Sequence, residues 1–491
     1  MRNDPQYPLT FSWLLLALIM GSFAGVATDN LSAAYAIVTL VTSCGLVWRA
    51  GDPPILPFIL AFQWVSVTAG YWYERWYGSF PGYYRPGDVE HTMFLSLTGL
   101  LLLAIGIRVA SQLILSRTRA TAEDSVIAAP NLVRPLFLVV MASYSVEYVY
   151  TLSAREFGSM ASFVQRLLEF RQVLLVTLWL ENLRSRKHLA WLAVSFIWAT
   201  LPRLGGYYSD FKSPVILLLI ALAATWRPWE EGWWKRTVVA VAKAAPVLAA
   251  LLVLLLVWQG GLKKNTRLAH DDGSIGVAAS DRIAFFAENF RTELPLFFEA
   301  PEPYVEALVE RMSYITFFSR VLEHVPAREP HAEGELLSMA MQNAFVPRFL
   351  VPDKPELPSD SYYTRRFAGV LVAETGTSVS IGYMAEFYAD WGLGGMFLSI
   401  LAFGLWIGVI AALVRVLTPA PILRFAAMTV VLLAVADFEQ QFIKGFAALN
   451  LNAMVTLVLV RVASPWVLRS AQQTPVPPAS DTGHALPVST P

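Results

Sequence analysis

The chain is dominated by a succession of apolar runs, each near the length of a membrane-spanning helix. A helix rises about 1.5 Å per residue, so roughly 20 apolar residues cross the hydrocarbon core of a bilayer. Runs of about this length lie at about 9–27, 31–48, 54–73, 92–114, 132–152, 163–181, 188–202, 212–227, 237–259, 392–415, 424–441 and 446–468. The sequence therefore predicts an all-α polytopic membrane protein with about 12 transmembrane helices.

Composition agrees with this class and excludes several others. Apolar residues make up 56% of the chain and charged residues only 15%, which is too apolar for a soluble fold. The formal net charge is zero, so nothing indicates a nucleic-acid partner. Cys44 is the only cysteine, which excludes a disulfide framework and a cysteine-based metal site.

The distribution of basic residues predicts the orientation of the helices. When the predicted spans alternate in direction, one set of short loops carries about twice as many Lys and Arg residues as the opposite set. Basic loops stay in the cytoplasm. Both termini are therefore expected to be cytoplasmic, in a multi-pass inner-membrane protein.

One long polar segment interrupts the apolar pattern, and it divides the chain. It follows the ninth predicted span, so the predicted orientation places it outside the cytoplasm. Its sequence predicts two helices, at about 281–298 and 303–324, followed by a proline-rich stretch. No internal repeat, nucleotide fingerprint or helix pair dominated by GxxxG is evident. The predicted parts are an N-terminal membrane bundle of about nine helices (1–259), an extracytoplasmic loop domain (260–380, the outward segment), C-terminal membrane helices (381–469) and a disordered tail (470–491).

Two carboxylates and a tyrosine lie where the outward segment re-enters the membrane. Tyr383, Glu386 and Asp390 have three- and four-residue spacing, which places them on one helical face. At the boundary between water and lipid, such carboxylates meet the head group of a lipid-linked substrate. The alternative is an interfacial anchor, because tyrosines and acids are common at the ends of membrane helices.

Arginines of the outward segment form a second group of candidates. A guanidinium offers a planar fork of donors that matches pyrophosphate oxygens. On one continuous helix, Arg311 and Arg320 lie about half a turn out of phase, so only one of them is expected to face a ligand. The alternative is pairing with nearby acids in a solvated loop. The candidates are Arg311, Arg320, Arg348, Arg365 and Arg366.

Other ionisable groups suggest a polar cavity near the outward face. Several charges that converge at the ends of a helix bundle indicate such a cavity, or alternatively a bundle end closed by salt bridges. His324 and His331 are separated by two prolines, so a shared metal site is not expected. The converging charges are Arg166, Glu169, Arg171, Asp437, Glu439 and Lys444.

Three blocks of the sequence are similar to one family of membrane enzymes. ERMSYITFFSRVLEHVP (310–326), VPRFLVPDKP (346–355) and GYMAEFYADWGLGG (382–395) resemble, in this order, blocks of bacterial O-antigen and exopolysaccharide repeat-unit polymerases of the Wzy type, within the O-antigen-ligase-like superfamily. The long outward loop before a late helix also fits that family. Asp390 departs from the family pattern, which has a neutral residue there.

The resemblance implies an integral-membrane glycosyltransferase with a GT-C-like fold. Its substrate is an undecaprenyl-pyrophosphate-linked oligosaccharide, it uses no nucleotide sugar, metal or cofactor, and its partners include membrane lipid, a chain-length regulator and a flippase. By this resemblance Glu386 activates the acceptor hydroxyl and Arg311 stabilises the leaving pyrophosphate, which makes them the catalytic candidates. The substrate-binding candidates are Arg348, Lys354, Arg365, Arg366, Tyr383 and Asp390.

Three other functions stay open at the level of sequence. An O-antigen-ligase-like enzyme shares the number of spans and the late outward loop, but it transfers the finished glycan. A transporter or flippase for lipid-linked oligosaccharides also needs about a dozen spans with polar residues inside them. A non-enzymatic assembly or secretion subunit is the third alternative. The insertion of the outward segment into only one half of the chain speaks against the transporter.

Overall fold

The computed structural model describes most of the apolar chain and parts of the outward segment. The described residues are 11–28, 30–49, 51–82, 86–116, 130–152, 161–185, 188–200, 212–225, 238, 245–246, 249–263, 279–345, 351, 358–371 and 379–472.

Throughout these residues the regular structure is helical, as the sequence predicts. The helices of the first half are α1 (Phe11–Thr28), α2 (Leu31–Val47), α3 (Ile55–Tyr77), α4 (Val89–Leu115), α5 (Val133–Leu152), α6 (Ala161–Ser185), α7 (Leu189–Thr200), α8 (Lys212–Thr225) and α9 (Ala249–Leu262). Those of the second half are α10 (Ala279–Glu299), α11 (Glu302–Met312), α12 (Ile315–His324), α13 (Glu335–Phe345), α14 (Asp360–Ala368), α15 (Tyr383–Leu417), α16 (Pro421–Leu433) and α17 (Phe442–Gln472).

Four of the described helices are long and apolar enough to cross a membrane. They are α3, α4, α15 and α17, of which α17 qualifies over Phe442–Arg469. Shorter apolar helices of 10–17 residues occupy other predicted spans, among them α2, α7, α8 and α16. The molecule is therefore an α-helical membrane protein, and among its described residues fewer helices reach full spanning length than the 12 predicted from the sequence.

Helices α4 and α15 form the most extensive helix pair, and glycines bring their backbones together. A Cβ atom added at Gly106 of α4 would lie 2.6 Å from the carbonyl oxygen of Leu401 on α15. Cβ atoms added at Gly404 and Gly408 of α15 would lie similarly close to the α4 backbone. Small residues at four-residue spacing allow such close packing in membranes. The expectation of no GxxxG-type helix pair is therefore wrong.

The long helix α15 is broken near its N-terminus. Gly392 has φ 67° and ψ −168°, a conformation that is essentially restricted to glycine. At this break, the carbonyl of Ala389 accepts a hydrogen bond from the amide of Ala332 (2.9 Å), and that of Asp390 accepts one from Glu333 (3.0 Å). Non-helical backbone at membrane depth requires such partners within the protein. The break separates a short first piece, residues 383–391, from the longer remainder of the helix.

Of the two helices predicted in the outward segment, one is present as a single helix and the other is divided into two. The expected helix at 281–298 corresponds to α10, but the expected helix at 303–324 is two helices, α11 and α12. The chain turns at Ser313, where the amide of Tyr314 donates a hydrogen bond to the carbonyl of Ser66 in α3 (3.1 Å). Ser66 is distant from Tyr314 in the sequence, so the hydrophobic periodicity of the outward segment does not predict this contact.

Candidate functional site

The first piece of α15 is enclosed by protein. All of its residues from Tyr383 to Asp390 are buried. The hydroxyl of Tyr383 donates a hydrogen bond to Oε1 of Gln63 in α3, at 3.0 Å. Nε2 of Gln63 in turn donates to the carbonyl of Val435, also at 3.0 Å. A polar network inside the bundle thus holds the start of α15 against α3 and against the connection between α16 and α17.

Glu386 lies in this first piece, and its two oxygens have different surroundings. Oε2 accepts a hydrogen bond from the amide of Phe442 (2.9 Å), the first residue of α17. The first amides of a helix lack partners within the helix, and the positive end of its dipole attracts a carboxylate. The side chain is 5% exposed, and its other oxygen, Oε1, is buried with no hydrogen-bond partner among the described residues.

Glu386 lines a small pocket, which we call the Glu386 cavity. Gln441, which immediately precedes α17, lines it too and is 1% exposed. Its Nε2 atom is likewise buried without a partner in the described part of the chain. A hydrogen-bond acceptor and a donor therefore belong to two residues that line the same small space. The remaining lining residues are Leu336, Met339, Tyr363 and Ile443.

The phenol of Tyr363 adds a neutral donor to this cavity. Its hydroxyl lies 3.2 Å from the sulfur of Met339, to which it donates. Burial, together with the negative charges of Glu335 and Glu386, raises the pKa of Tyr363 to about 12. The phenol therefore keeps its proton at physiological pH.

Two ion-pair groups lie beside residues that line the Glu386 cavity. Lys444 of α17 donates to both carboxylate oxygens of Asp360 in α14, each at 2.7 Å. In the same helix α14, Arg366 donates to Glu329 (2.6 Å) and to both oxygens of Glu335 (3.0 Å). The guanidinium of Arg366, which is one of the predicted substrate-binding residues, contacts these two acids. Of the six charges predicted to converge near the outward face, Lys444 belongs to these ion-pair groups.

Asp390 caps the N-terminus of a neighbouring helix, α13. Its side chain is 1% exposed, with Oδ1 accepting from the amide of Leu336 (3.0 Å) and Oδ2 from that of Leu337 (2.8 Å). Both amides belong to the first turn of α13, so the carboxylate satisfies donors that the helix itself leaves unpaired. Glu386 and Asp390 share one buried helix piece but contact different helices. Neither is exposed, as an interfacial anchor would be.

The arginines of the outward segment lie on separate elements. Arg311, in the last turn of α11, forms an ion pair with Glu439, which lies in the same connection as Gln441. Arg320 lies on α12 and pairs with Glu323 at 3.4 Å. The expectation that both arginines share one helix is therefore wrong, because the chain turns between them. Arg365 lies on α14 beside Arg366.

Several predicted residues lie outside the described residues. Arg348 and Lys354 belong to the proline-rich stretch, and most of the predicted tail follows residue 472. Among the described residues, no group of three or more His, Cys, Asp or Glu side chains is arranged to hold a metal ion. The Nδ1 atom of His331 lies 3.1 Å from the carbonyl of Tyr388, near the break in α15.

The site also contains residues that the sequence did not single out. Tyr363 and Asp360 both lie on α14, and Gln441 lies far from them in the chain, in the connection between α16 and α17. The only signal for Gln441 was its position beside the charges Glu439 and Lys444, at the end of a predicted span. No periodicity links it to Glu386.

Comparison with known proteins assigns the chain to a family. A family model described as "Domain of unknown function (DUF8712)" matches residues 102–423, more than half of the 491 residues. The matched range includes Glu386 and Asp390 and ends before Gln441. No curated protein and no solved structure matches the chain.

Proposed function

We propose that this chain, which belongs to the family described as "Domain of unknown function (DUF8712)", is a membrane glycosyltransferase. It joins undecaprenyl-pyrophosphate-linked oligosaccharide repeat units into O-antigen or exopolysaccharide at the outer face of the bacterial inner membrane. The proposal combines the resemblance of the three sequence blocks with the chemistry of the Glu386 cavity.

The observation that carries the proposal is the pair of buried polar atoms in this cavity. Oε1 of Glu386 is an acceptor and Nε2 of Gln441 is a donor, and both are buried without partners in the described chain. An unsatisfied buried polar atom costs roughly 1–3 kcal/mol, so a protein retains such an atom where it has a use. A hydroxyl group is both donor and acceptor, and it satisfies the two atoms at once. The pair therefore fits an acceptor sugar hydroxyl.

The chemical step follows from this arrangement. The hydroxyl donates its proton to Oε1 of Glu386 as its oxygen attacks the anomeric carbon of the donor glycan. The new bond joins that oxygen to the anomeric carbon, and the bond between this carbon and the pyrophosphate oxygen breaks. The pyrophosphate leaves on its lipid with the electron pair of the broken bond. Glu386 acts as general base, and the amide at the start of α17 orients its carboxyl group.

Fixed cations assist the departure of the pyrophosphate. The resemblance assigns this role to Arg311, together with Arg348 or Lys354. Arg311 contacts Glu439, two residues before Gln441, which supports a position near the cavity. A guanidinium bound to one carboxylate retains further N–H donors for phosphate oxygens.

The proposed arrangement in the membrane follows the sequence. It has about 12 spans, a GT-C-like fold, cytoplasmic termini and the outward segment outside the cytoplasm. The shorter apolar helices supply the remaining crossings by local thinning of the bilayer or through adjacent residues. No cofactor takes part.

A second candidate, a transporter for lipid-linked oligosaccharide, is favoured by the break at Gly392. Many transporters bind substrate where a membrane helix is interrupted. Such folds usually carry a matching break in each half of the chain. The break in α15 lies in the second half of this chain.

A deletion strain distinguishes the candidates by the lipid-linked glycan that accumulates. Single repeat units on the outer leaflet, with no long chains, support a polymerase. Finished chains that stay on the lipid carrier indicate a ligase, and single units held on the inner leaflet indicate a transporter. Glycan of normal length on all carriers contradicts all three enzymatic or transport roles. Re-expression of the wild-type gene is the control.

A further inference from the structure

Tyr363 donates its buried hydroxyl to a weak acceptor. Among the described residues that acceptor is the sulfur of Met339, at 3.2 Å, and a thioether accepts hydrogen bonds poorly. A buried phenol usually finds a hydrogen-bond partner, and elsewhere in the second half of the chain this partner is an oxygen. The tyrosines that donate to an oxygen are Tyr304 (to Glu293, 2.7 Å), Tyr383 (to Gln63, 3.0 Å) and Tyr388 (to the carbonyl of Val325, 3.0 Å).

The ring of Tyr363 is held in place, so the position of its hydroxyl is fixed. The side chain is 4% exposed and stacks on Phe367, one turn further along α14, with the ring centroids 6.3 Å apart. The first turn of α14 binds Lys444 through Asp360, and its last turn binds two glutamates through Arg366. A donor that is already fixed loses little further freedom when it binds a ligand.

Met339, in contrast, has room to move aside. It is half-buried on α13, and its unbranched side chain has three rotatable bonds. An oxygen that replaces the sulfur exchanges a weak hydrogen bond for a stronger one. The contact between Tyr363 and Met339 is therefore one that a ligand oxygen displaces.

Both residues line the Glu386 cavity, together with Gln441. Burial and then the charges of Glu335 and Glu386 raise the pKa of Tyr363, so its hydroxyl stays protonated and lies within electrostatic reach of Glu386. The residues of this pocket thus supply one acceptor, Oε1 of Glu386, and two donors, Nε2 of Gln441 and the hydroxyl of Tyr363. One sugar hydroxyl satisfies Glu386 and Gln441, and the phenol requires a second oxygen.

We propose that Tyr363 binds the acceptor sugar by donating to a second oxygen of the ring that carries the attacking hydroxyl, with Met339 displaced. This inference rests on the proposed glycosyltransferase function and deepens it. Since Tyr363, Glu386 and Gln441 line one small pocket, the acceptor is a sugar with an oxygen substituent beside the attacking hydroxyl. The apolar lining residues Leu336 and Ile443 suit the C–H groups of such a ring.

The test uses the purified full-length protein in detergent and lipid-linked single repeat units extracted from the deletion strain. Chain formation at several concentrations of this substrate separates KM from kcat. Tyr363→Phe removes the donor and keeps the ring that stacks on Phe367. We expect its KM to rise about 10-fold with an unchanged unfolding temperature. Met339→Leu removes the sulfur that competes with the sugar and conserves volume, so its KM should stay the same or fall.

Tyr362→Phe is the matched control, because Tyr362 is the neighbouring tyrosine on α14 and is 43% exposed. It should have the KM of the wild type. A wild-type KM in Tyr363→Phe overturns the proposal. Equal rises of KM in Tyr363→Phe and Met339→Leu, with lower unfolding temperatures, also overturn it, because the contact with sulfur is then structural.

The activity of the wild-type protein separates this inference from the function on which it rests. Wild-type protein that joins no repeat units contradicts the glycosyltransferase function, and the role of Tyr363 falls with it. Wild-type protein that forms chains, with an unaffected Tyr363→Phe variant, contradicts the role of Tyr363 alone. If Tyr363→Phe does not fold, Met339→Leu decides, since a lower or equal KM supports the displacement of sulfur and a higher KM overturns it.

Discussion

At the level of single residues, the carboxylates of Glu386 and Asp390 on α15 have different surroundings and are expected to have different roles. One oxygen of Glu386 holds the start of α17 and the other lines a cavity, whereas both oxygens of Asp390 hold the start of α13. Glu386→Gln retains an oxygen for the amide of Phe442 but accepts no proton. We therefore expect polymer yield to fall about 10²–10⁴-fold, with normal amounts of protein in the membrane.

The measurement is the ratio of single repeat units to long chains at matched protein levels. Asp390→Asn is the control, since it leaves one of two buried helix amides without its acceptor, at a cost of about 1–3 kcal/mol, and should lower thermal stability more than turnover. Wild-type chain lengths in Glu386→Gln would exclude its role as the base.

Gln441 offers a sharper test, because it separates a binding role from a structural one. Gln441→Met retains most of the volume of the side chain but removes the buried N–H donor. If this donor binds the acceptor hydroxyl, polymerisation should slow about 10-fold. Thermal stability should stay the same or rise, because an unpaired buried donor has been removed. A loss of stability with unchanged specific activity contradicts the assignment.

Arg311 is predicted to bind pyrophosphate through its planar fork. Arg311→Lys keeps the charge and the pairing with Glu439 but loses bidentate geometry, so we expect most polymer to disappear. Arg320→Lys is the control, because Arg320 lies on another helix and pairs with Glu323. Chain length and yield are compared by gel electrophoresis of extracted glycan, and equal results for both variants remove Arg311 from the site.

At the level of helices, the contact between α4 and α15 should determine stability. A methyl group at Gly106 would lie 2.6 Å from the carbonyl of Leu401 and 2.8 Å from the amide of Leu405, and backbone atoms cannot move aside cheaply. Gly106→Ala is therefore expected to destabilise the protein by about 1–3 kcal/mol, measured as a lower unfolding temperature in detergent.

Gly394→Ala provides the matched comparison within the same helix pair. No atom lies within 4 Å of the added methyl group, and alanine favours the helix by about 1 kcal/mol over glycine. This variant should be as stable as the wild type or more so. An equal loss of stability in both variants would show that close packing of α4 on α15 is not the cause.

At the level of the whole molecule, the orientation in the membrane is open to direct test. Reporter fusions after Arg119, Arg186 and Lys235 should be active in the cytoplasm, and fusions after Gly82 and Glu333 should be active outside it. The physical reason is the retention of basic loops in the cytoplasm. An outside signal at Arg186 together with a cytoplasmic signal at Glu333 reverses the orientation. The Glu386 cavity would then face the cytoplasm, contrary to the proposed reaction.

The sequence by itself determined the helical class and the positions of most helices. Hydropathy is a local property, because twenty successive residues decide whether a segment is stable in lipid, whatever the rest of the chain does. The predicted spans at 31–48, 92–114 and 446–468 accordingly coincide with α2, α4 and α17. The sequence blocks also directed attention to Glu386 by resemblance, although nothing in their spacing distinguished its role from that of Asp390.

Only the tertiary structure decided which groups meet. Gln441 lies 55 residues after Glu386, and the two line one cavity because the start of α17 packs against the first piece of α15. The turn between α11 and α12 coincides with a hydrogen bond to Ser66, and Asp390 binds the first amides of α13 because that helix lies beside it. Helical periodicity reports which face of one helix is apolar. Contacts between distant segments follow from packing of the whole bundle, which no local pattern encodes.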